Sequence, residues 1–267
     1  MKVVLFCGGM GMRIREYSNA IPKPMVPVGS RPILWNIMRY YAHYGHKDFI
    51  LCLGHMGELI KEYFINYRET DSNDFILRGG ADNIELLSRD IHDWTITCVD
   101  TGLRSNIGQR LKAVERYLEN EEVFLANYTD GLTNLPLDKV TDHFLSKGKV
   151  ASFVTVKPSQ SFDIVRMRGD DGEVEGLEHV TKAGIWVNAG YFTFRKEIFS
   201  YMREGEELVY EPFRRLIAEN QIVTYRHDGF FLAMDTFKEK MQIDDMHARG
   251  DRPWEVWKGS NGDTPIG

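Results

Sequence analysis

The hydrophobic pattern over the first 130 residues alternates between two rhythms. Short unbroken apolar runs, each closed by glycine or a polar cluster, occur at residues 3–6 and in KDFILCLG, WTITCVDTG and EVFLANYTDG. Runs of this length between turn residues predict strands buried on both faces. Between them, Ile33, Leu34, Ile37, Met38 and Tyr41 stand three and four apart, and GELIKEYFINYRE and IGQRLKAVERYLEN repeat the pattern. That spacing predicts amphipathic helices. Ser30 is the expected N-cap of the first helix, with Pro32 in its opening turn and Gly45 as its stop. Alternating strands and helices call for parallel strands joined by right-handed crossovers. The expected fold is therefore α/β, with a doubly wound, mostly parallel, Rossmann-like sheet.

From about residue 150 the texture changes. KVASFVTV and NAGYFTFR read as strands, and IVRMRGDDGEVEGLEHV as two strands around a turn at Asp171-Gly172. Helical stretches are expected at 195–203 and 208–219, and a further strand at 221–226. With no internal repeat or linker, residues 1–258 are expected to form one domain with halves 1–130 and 131–258. The second half is then a mixed β/α insertion able to cover a second ligand. The Gly/Ser/Pro-rich stretch 259–267 is expected to be a flexible tail.

Composition narrows the chemistry. The chain has 267 residues, 43% apolar and 27% charged, with a formal net charge of −6. That acidic balance argues against nucleic acid as a main partner, so any bound phosphate must be held by local cations. Cys7, Cys52 and Cys98 sit in strand-like runs without metal-ligand spacing and are expected to be reduced, buried thiols. There is no signal-peptide apolar region and no 18-residue apolar run, so a cytoplasmic protein without a membrane span is expected.

Candidate chemistry gathers where open parallel sheets bind ligands, at the carboxyl ends of strands. The first strand runs into Gly8, Gly9 and Gly11, then Arg13, then Lys23 between Pro22 and Pro24. Glycines there permit positive φ and let backbone N–H groups close on an anion, although a tight strand-to-helix turn uses the same residues. Arg13 suits forked contact with phosphate oxygens and Lys23 is a point charge, although each also reads as a solvated surface charge. Asp130 follows the fourth apolar run and Asp235 follows FFLAM. Each alone is also a common turn or cap residue. As a pair they suit a hard cation such as Mg²⁺. Neither the P-loop pattern nor G-x-G-x-x-G is present, which disfavours a P-loop kinase and a dehydrogenase. What remains is a protein binding a nucleotide or sugar phosphate with Mg²⁺.

Taken in series, GGMGMRI, PKPMVPVGSRPILW, GHMGELIKEYFINY, VDTG, GQRLK, DG at 130–131, MDT and PWEVWK resemble the sugar-1-phosphate nucleotidyltransferases. The likeness runs from residue 1 to about 258 and is strongest to the glucose-1-phosphate cytidylyltransferase branch. It implies a Mg²⁺-dependent reaction of CTP with a sugar 1-phosphate, releasing pyrophosphate, in a protein that forms homo-oligomers. It also implies roles. Gly8, Gly9, Gly11, Arg13, Lys23 and Arg110 face the nucleotide, with Arg13, Lys23 and Asp130 catalytic. Asp130 and Asp235 hold the metal, and Glu178, His179, Lys182 and Asn188 face the acceptor.

The chain departs from the family pattern at several of these points. Met12 stands where a threonine is usual, Thr129 replaces a glycine, and SQSFDIV replaces the segment that shapes the sugar pocket. Glu178-His179 aligns with a Glu-Lys pair, which removes a permanent cation from a place facing a phosphate. Lys182 lies three residues on and is a candidate substitute, although TKAG reads equally as an exposed turn. The nucleotide half thus matches the family while the acceptor half is altered. Three alternatives stay open: a different phosphorylated or phosphonate acceptor, a relative using UTP or dTTP, or a non-catalytic nucleotide-binding regulatory subunit.

Overall fold

The computed structural model describes residues 1–9, 21–80, 83–158 and 162–258. The chain opens with β1 (Val3–Phe6) and, beyond the glycine loop, a 3₁₀ turn at Lys23–Met25. β2 (Pro27–Val28) and β3 (Arg31–Pro32) form a small hairpin, then come α1 (Ile33–His43), β4 (Asp48–Leu53) and α2 (Gly57–Ile65). A ribbon of β5 (Phe75–Leu77) and β6 (Ile84–Leu86) precedes β7 (Thr95–Asp100), α3 (Ile107–Ala113), β8 (Val123–Asn127), β9 (Gly131–Thr133) and α4 (Leu137–Lys147). The second half holds β10 (Ala151–Val156), a ribbon of β11 (Asp163–Arg168) and β12 (Glu173–His179), and β13 (Val187–Arg195). It continues with α5 (Glu211–Ala218), β14 (Ile222–His227), β15 (Phe231–Ala233) and α6 (Phe237–Ala248).

Seven strands form the central sheet in the order β14-β10-β13-β8-β1-β4-β7. β1 pairs in parallel with both β4 and β8, β4 with β7, and β10 with β14. β13 runs antiparallel between β10 and β8, so the doubly wound parallel sheet expected carries one reversed strand. Successive side chains of a strand point to opposite faces, and β1 uses both. Val3 and Leu5 pack with Ile33, Leu34 and Ile37 of α1. Val4 and Phe6 pack with Leu111, Phe124, Phe194 and Phe213 on the other side. Two buried faces explain why β1 and β4 read as unbroken apolar runs rather than alternating ones.

Several local expectations are corrected. Pro32, not Ser30, occupies the N-cap position of α1, and no side chain caps that end. Gly45 does adopt positive φ just beyond the helix. The third helix stops at Ala113 and tightens into a 3₁₀ turn at Glu115–Tyr117. Residues 196–201 are likewise 3₁₀. Cys7 and Cys52 are buried free thiols as expected, but Cys98 is exposed because β7 is the outermost strand. The expected tail at 259–267 lies outside the described residues. Among the described residues no helix is long and apolar enough to cross a membrane.

Candidate active site

The carboxyl ends of β1 and β8 lie side by side, and the loops leaving them are tied together. Thr129 donates through Oγ1 to the Phe6 carbonyl at 2.9 Å, and its own N–H donates to Asn127 Oδ1 at 2.8 Å. It does so in a left-handed backbone conformation, φ 57°. This is unusual for a β-branched residue, and the two hydrogen bonds hold it there. Asp130 is thereby presented at the mouth of the sheet.

Asp235 reaches the same point from 105 residues further along by a different device. β15 pairs antiparallel with β9, and Met234 N–H donates to the Asp130 carbonyl at 2.8 Å. Asp235 then precedes a capping box in which Thr236 Oγ1 accepts from Glu239 N–H while Glu239 accepts from Thr236 N–H. Glu239 Oε2 also accepts from Asp235 N–H at 2.7 Å. The T-x-x-E pattern in TFKE is the sequence signal for this cap, and the sequence reading did not use it.

Lys23 closes the group. Its short 3₁₀ turn starts behind Pro22, and Pro24 is buried within it. Lys23 Nζ lies 2.8 Å from Asp130 Oδ2 and 2.7 Å from Asp235 Oδ1. Burial works against the ammonium charge, but the two carboxylates outweigh it and hold the Lys23 pKa above its ordinary value. Burial pushes the Asp130 carboxyl up, and the Lys23 charge opposes this without cancelling it. Two carboxylates converging on one positive centre are a hard, oxygen-only donor set. Such a set fits a divalent cation whose other ligands are phosphate oxygens and water. Among the described residues no third histidine, cysteine or acidic residue joins them.

The glycine loop is only partly described, and Gly11 and Arg13 lie outside the described residues. Neither Gly8 nor Gly9 adopts positive φ, so the conformational reason expected for them does not hold. The reason at Gly8 is space: a Cβ there would fall inside the Arg110 guanidinium, and one at Gly54 would lie 2.8 Å from Arg110 Nη1. Gly9 is exposed, and a Cβ there would meet nothing within 4 Å among the described residues. Arg110 itself is turned inward. It is 1% exposed and donates to Leu53 O at 3.0 Å, to Thr101 Oγ1 at 2.7 Å and to the Gly8 carbonyl. This guanidinium, expected at the nucleotide, joins the ends of β1, β4 and β7 through those three contacts.

The acceptor candidates are divided. Tyr128 N–H donates to the Gly190 carbonyl at 3.2 Å and Asn127 pairs with Tyr191, so Asn188 stands at the Asp130 end of the sheet. Its Oδ1 accepts from Gly190 N–H at 2.8 Å. Glu178 and His179 lie at the root of the β11–β12 ribbon, where His179 pairs with Asp163. Glu178 is ion-paired with Arg166. His179 Nδ1 lies 2.8 Å from Thr181 Oγ1 and caps a 3₁₀ turn, and Lys182 on that turn is exposed.

A family model described as nucleotidyl transferase matches residues 2–231. The glucose-1-phosphate cytidylyltransferase of Salmonella typhimurium (strain LT2) is 33% identical over 260 residues, 97% of this chain and 100% of its own. That of Salmonella typhi has the same identity and coverage. A solved UDP-glucose pyrophosphorylase complexed with UDP-glucose shares the fold at a TM-score of 0.68. It covers 93% of this chain and 98% of its own at 14% identity. With the two aspartates and the lysine assembled at the carboxyl edge of such a sheet, the chain belongs to the nucleotidyl transferase family, as one of its sugar-1-phosphate nucleotidyltransferases.

Proposed function

We propose that this protein transfers the cytidylyl group of CTP to a sugar 1-phosphate, glucose 1-phosphate or a close relative, releasing pyrophosphate and forming a CDP-sugar. A phosphate oxygen of the acceptor forms the new bond to the α-phosphorus while the bond to the pyrophosphate oxygen breaks. The convergence of Lys23, Asp130 and Asp235 carries this reading, supported by the likeness to two cytidylyltransferases along nearly the whole chain.

Asp130 and Asp235 would hold a divalent cation, Mg²⁺ in this reading, whose chemistry is to neutralise triphosphate charge. Lys23 supplies a positive charge beside the α-phosphate, and Arg13 binds the departing pyrophosphate. Arg110 acts at one remove, as a positioning residue that props the Gly8 backbone. Asn188 hydrogen-bonds the acceptor, and Lys182 supplies the cation missing at His179. Because Glu178 is engaged by Arg166 and His179 by Thr181, a second reading keeps the nucleotide and changes the acceptor to another phosphorylated or phosphonate compound.

Pyrophosphate release with CTP, Mg²⁺ and a panel of acceptors led by α-glucose 1-phosphate tests both. The expected result is turnover at ordinary enzyme rates, about 1–10³ s⁻¹, lost in Asp130→Asn. Turnover with another acceptor alone selects the second reading. CTP binding without release on any acceptor would replace both with a regulatory role. We also propose a homo-oligomer, since the two ribbons expose Leu77, Ile84, Val174 and Leu177. Light scattering that gives a monomer mass would remove that part.

A further inference from the structure

Two stretches of the motifs quoted above lie outside the Lys23 group: the GSRPILW end of PKPMVPVGSRPILW and the closing PWEVWK. In the folded chain they meet. Ser30, Arg31 and Trp35 at the start of α1 line a cavity of about 380 Å³ together with Glu255, Trp257 and Lys258. The segment around the β5–β6 ribbon adds Ser72 and Asp90, and the end of α6 adds His247. The volume lies within the range of small-molecule sites, about 300–1,000 Å³. Lys23, Asp130 and Asp235 are not part of its wall.

Its charge is unbalanced. Arg31, Arg39, Arg252 and Lys258 share the wall with two carboxylates among the described residues, Asp90 and Glu255. Glu255 is taken up by Lys258 at 2.7 Å and Arg252 at 3.8 Å. Asp90 accepts from Tyr67 OH at 2.9 Å and lies 3.8 Å from Arg31. Arg39 donates to the Asp90 backbone carbonyl at 3.0 Å and has no carboxylate partner among the described residues. Burial lowers the His247 pKa, so the imidazole adds no counter-charge of either sign near neutrality.

Arg31 is held in place rather than left loose. It is 4% exposed, bonds Arg68 O at 2.7 Å and Ser72 Oγ at 2.5 Å, and stacks 4.2 Å from the Tyr67 ring centre. Its Nε is nevertheless buried without an acceptor. A buried guanidinium short of one acceptor, beside an arginine held by a backbone carbonyl but by no carboxylate among the described residues, leaves an excess of positive charge in this wall that a bound anion offsets. Trp35 and Trp257 meet edge to face at 6.1 Å and give the same wall a flat aromatic surface.

We propose that this cavity is a second ligand site, separate from the Lys23 group, for a phosphorylated small molecule, with a ring that packs against Trp35 and Trp257. Arg39 and Arg252 bind the phosphate, and Arg31 sets the positive potential behind them.

The test uses whole protein labelled with 5-fluorotryptophan, its resonances assigned by Trp→Phe substitution, and titrated with inorganic phosphate and with CDP. The Trp35 and Trp257 signals should move saturably. The midpoint should rise by about ten- to a hundredfold in Arg39→Gln and in Arg252→Gln, the effect of losing one charge-assisted contact. Circular dichroism checks that both variants remain folded. The same shifts should persist in Asp130→Asn, which separates this site from the proposed transfer reaction. A response to both probes assigns recognition to the phosphate, and a response to CDP alone assigns it to phosphate and ring together. Either supports the site. Signals unmoved through millimolar concentrations of both probes, or moving equally in the arginine variants, would overturn it.

Discussion

Replacing Lys23 by methionine tests the central contact directly. The side chains are partly open to water, 18% for Lys23, 26% for Asp130 and 35% for Asp235, so the pairs are only partly shielded. A hydrogen bond to a charged partner contributes about 1.5–3 kcal/mol when buried, and an exposed ion pair about 0.2–1. The intermediate setting gives about 1 kcal/mol for each of the two bonds, hence about 2 in all. Losing the ammonium also leaves two carboxylates facing each other, which brings the cost to about 2–3 kcal/mol. For a chain of this size that lowers Tm by roughly 4–12 °C. Urea and thermal unfolding, followed by circular dichroism in chelator, should be measured for Lys23→Met, Asp130→Asn and the double variant. Groups sharing an ion pair couple, so the double variant should be more stable than the sum of the singles by at least about 0.5 kcal/mol. Mg²⁺ should restore more stability to Lys23→Met than it adds to the wild type, because the bare carboxylates bind a cation that the lysine otherwise opposes. Turnover should fall by about 10²–10³. Additive single effects with no Mg²⁺-dependent recovery would refute the shared contact.

Other substitutions probe the supports of the site. Arg110→Met should cost about 3 kcal/mol in urea unfolding and raise KM for CTP, since the Gly8 and Leu53 carbonyls lose a buried donor. Combined with Gly8→Ala it should cost less than the sum, because the alanine clashes with the guanidinium that methionine removes. Thr129→Ala should lose about 1–2 kcal/mol while keeping the left-handed backbone, whereas Thr129→Gly loses the same bond but relieves a strain of about 1–2 kcal/mol. Equal destabilisation by the two would contradict that account. Burial lowers the His46 pKa from 6.5 to about 4. Below pH 6.5 the unfolded chain takes up a proton that the folded chain refuses, so this contribution is whole above 6.5 and drains away towards pH 4. Allowing for partial exposure the whole is about 1–2 kcal/mol, of which about three-fifths falls above pH 5, and His46→Gln should flatten the urea-unfolding free energy between pH 7.5 and 5 by that share.

Much of the scaffold was legible because burial leaves a local trace. β1, β4, β7 and β8 were read from apolar runs, and the β11–β12 ribbon from its Asp171-Gly172 turn. Helices α4 and α6 were missed. α4 buries only Leu137, Val140, Thr141 and Phe144 among polar residues. α6 is a weakly amphipathic helix whose buried residues include Lys240, a residue type that argues against a core face. Ser30 failed as a cap because Pro32 already supplies a compatible backbone at the helix start.

The sequence by itself determined which segments could be strands and which helix faces must be buried, since these depend on periodicity within a few residues. Through its motifs it also singled out Lys23, Asp130 and Asp235 as candidates. Only the tertiary structure decided which of those groups meet. Lys23 stands 107 residues from Asp130 and 212 from Asp235, and their contact follows from β1 pairing with β8 and β15 with β9. The same packing turned Arg110 inward against Gly8 and brought α1, the β5–β6 segment and the closing motif around a second cavity. Strand order and register are global solutions to burying every apolar face at once, and no local pattern of residues contains them.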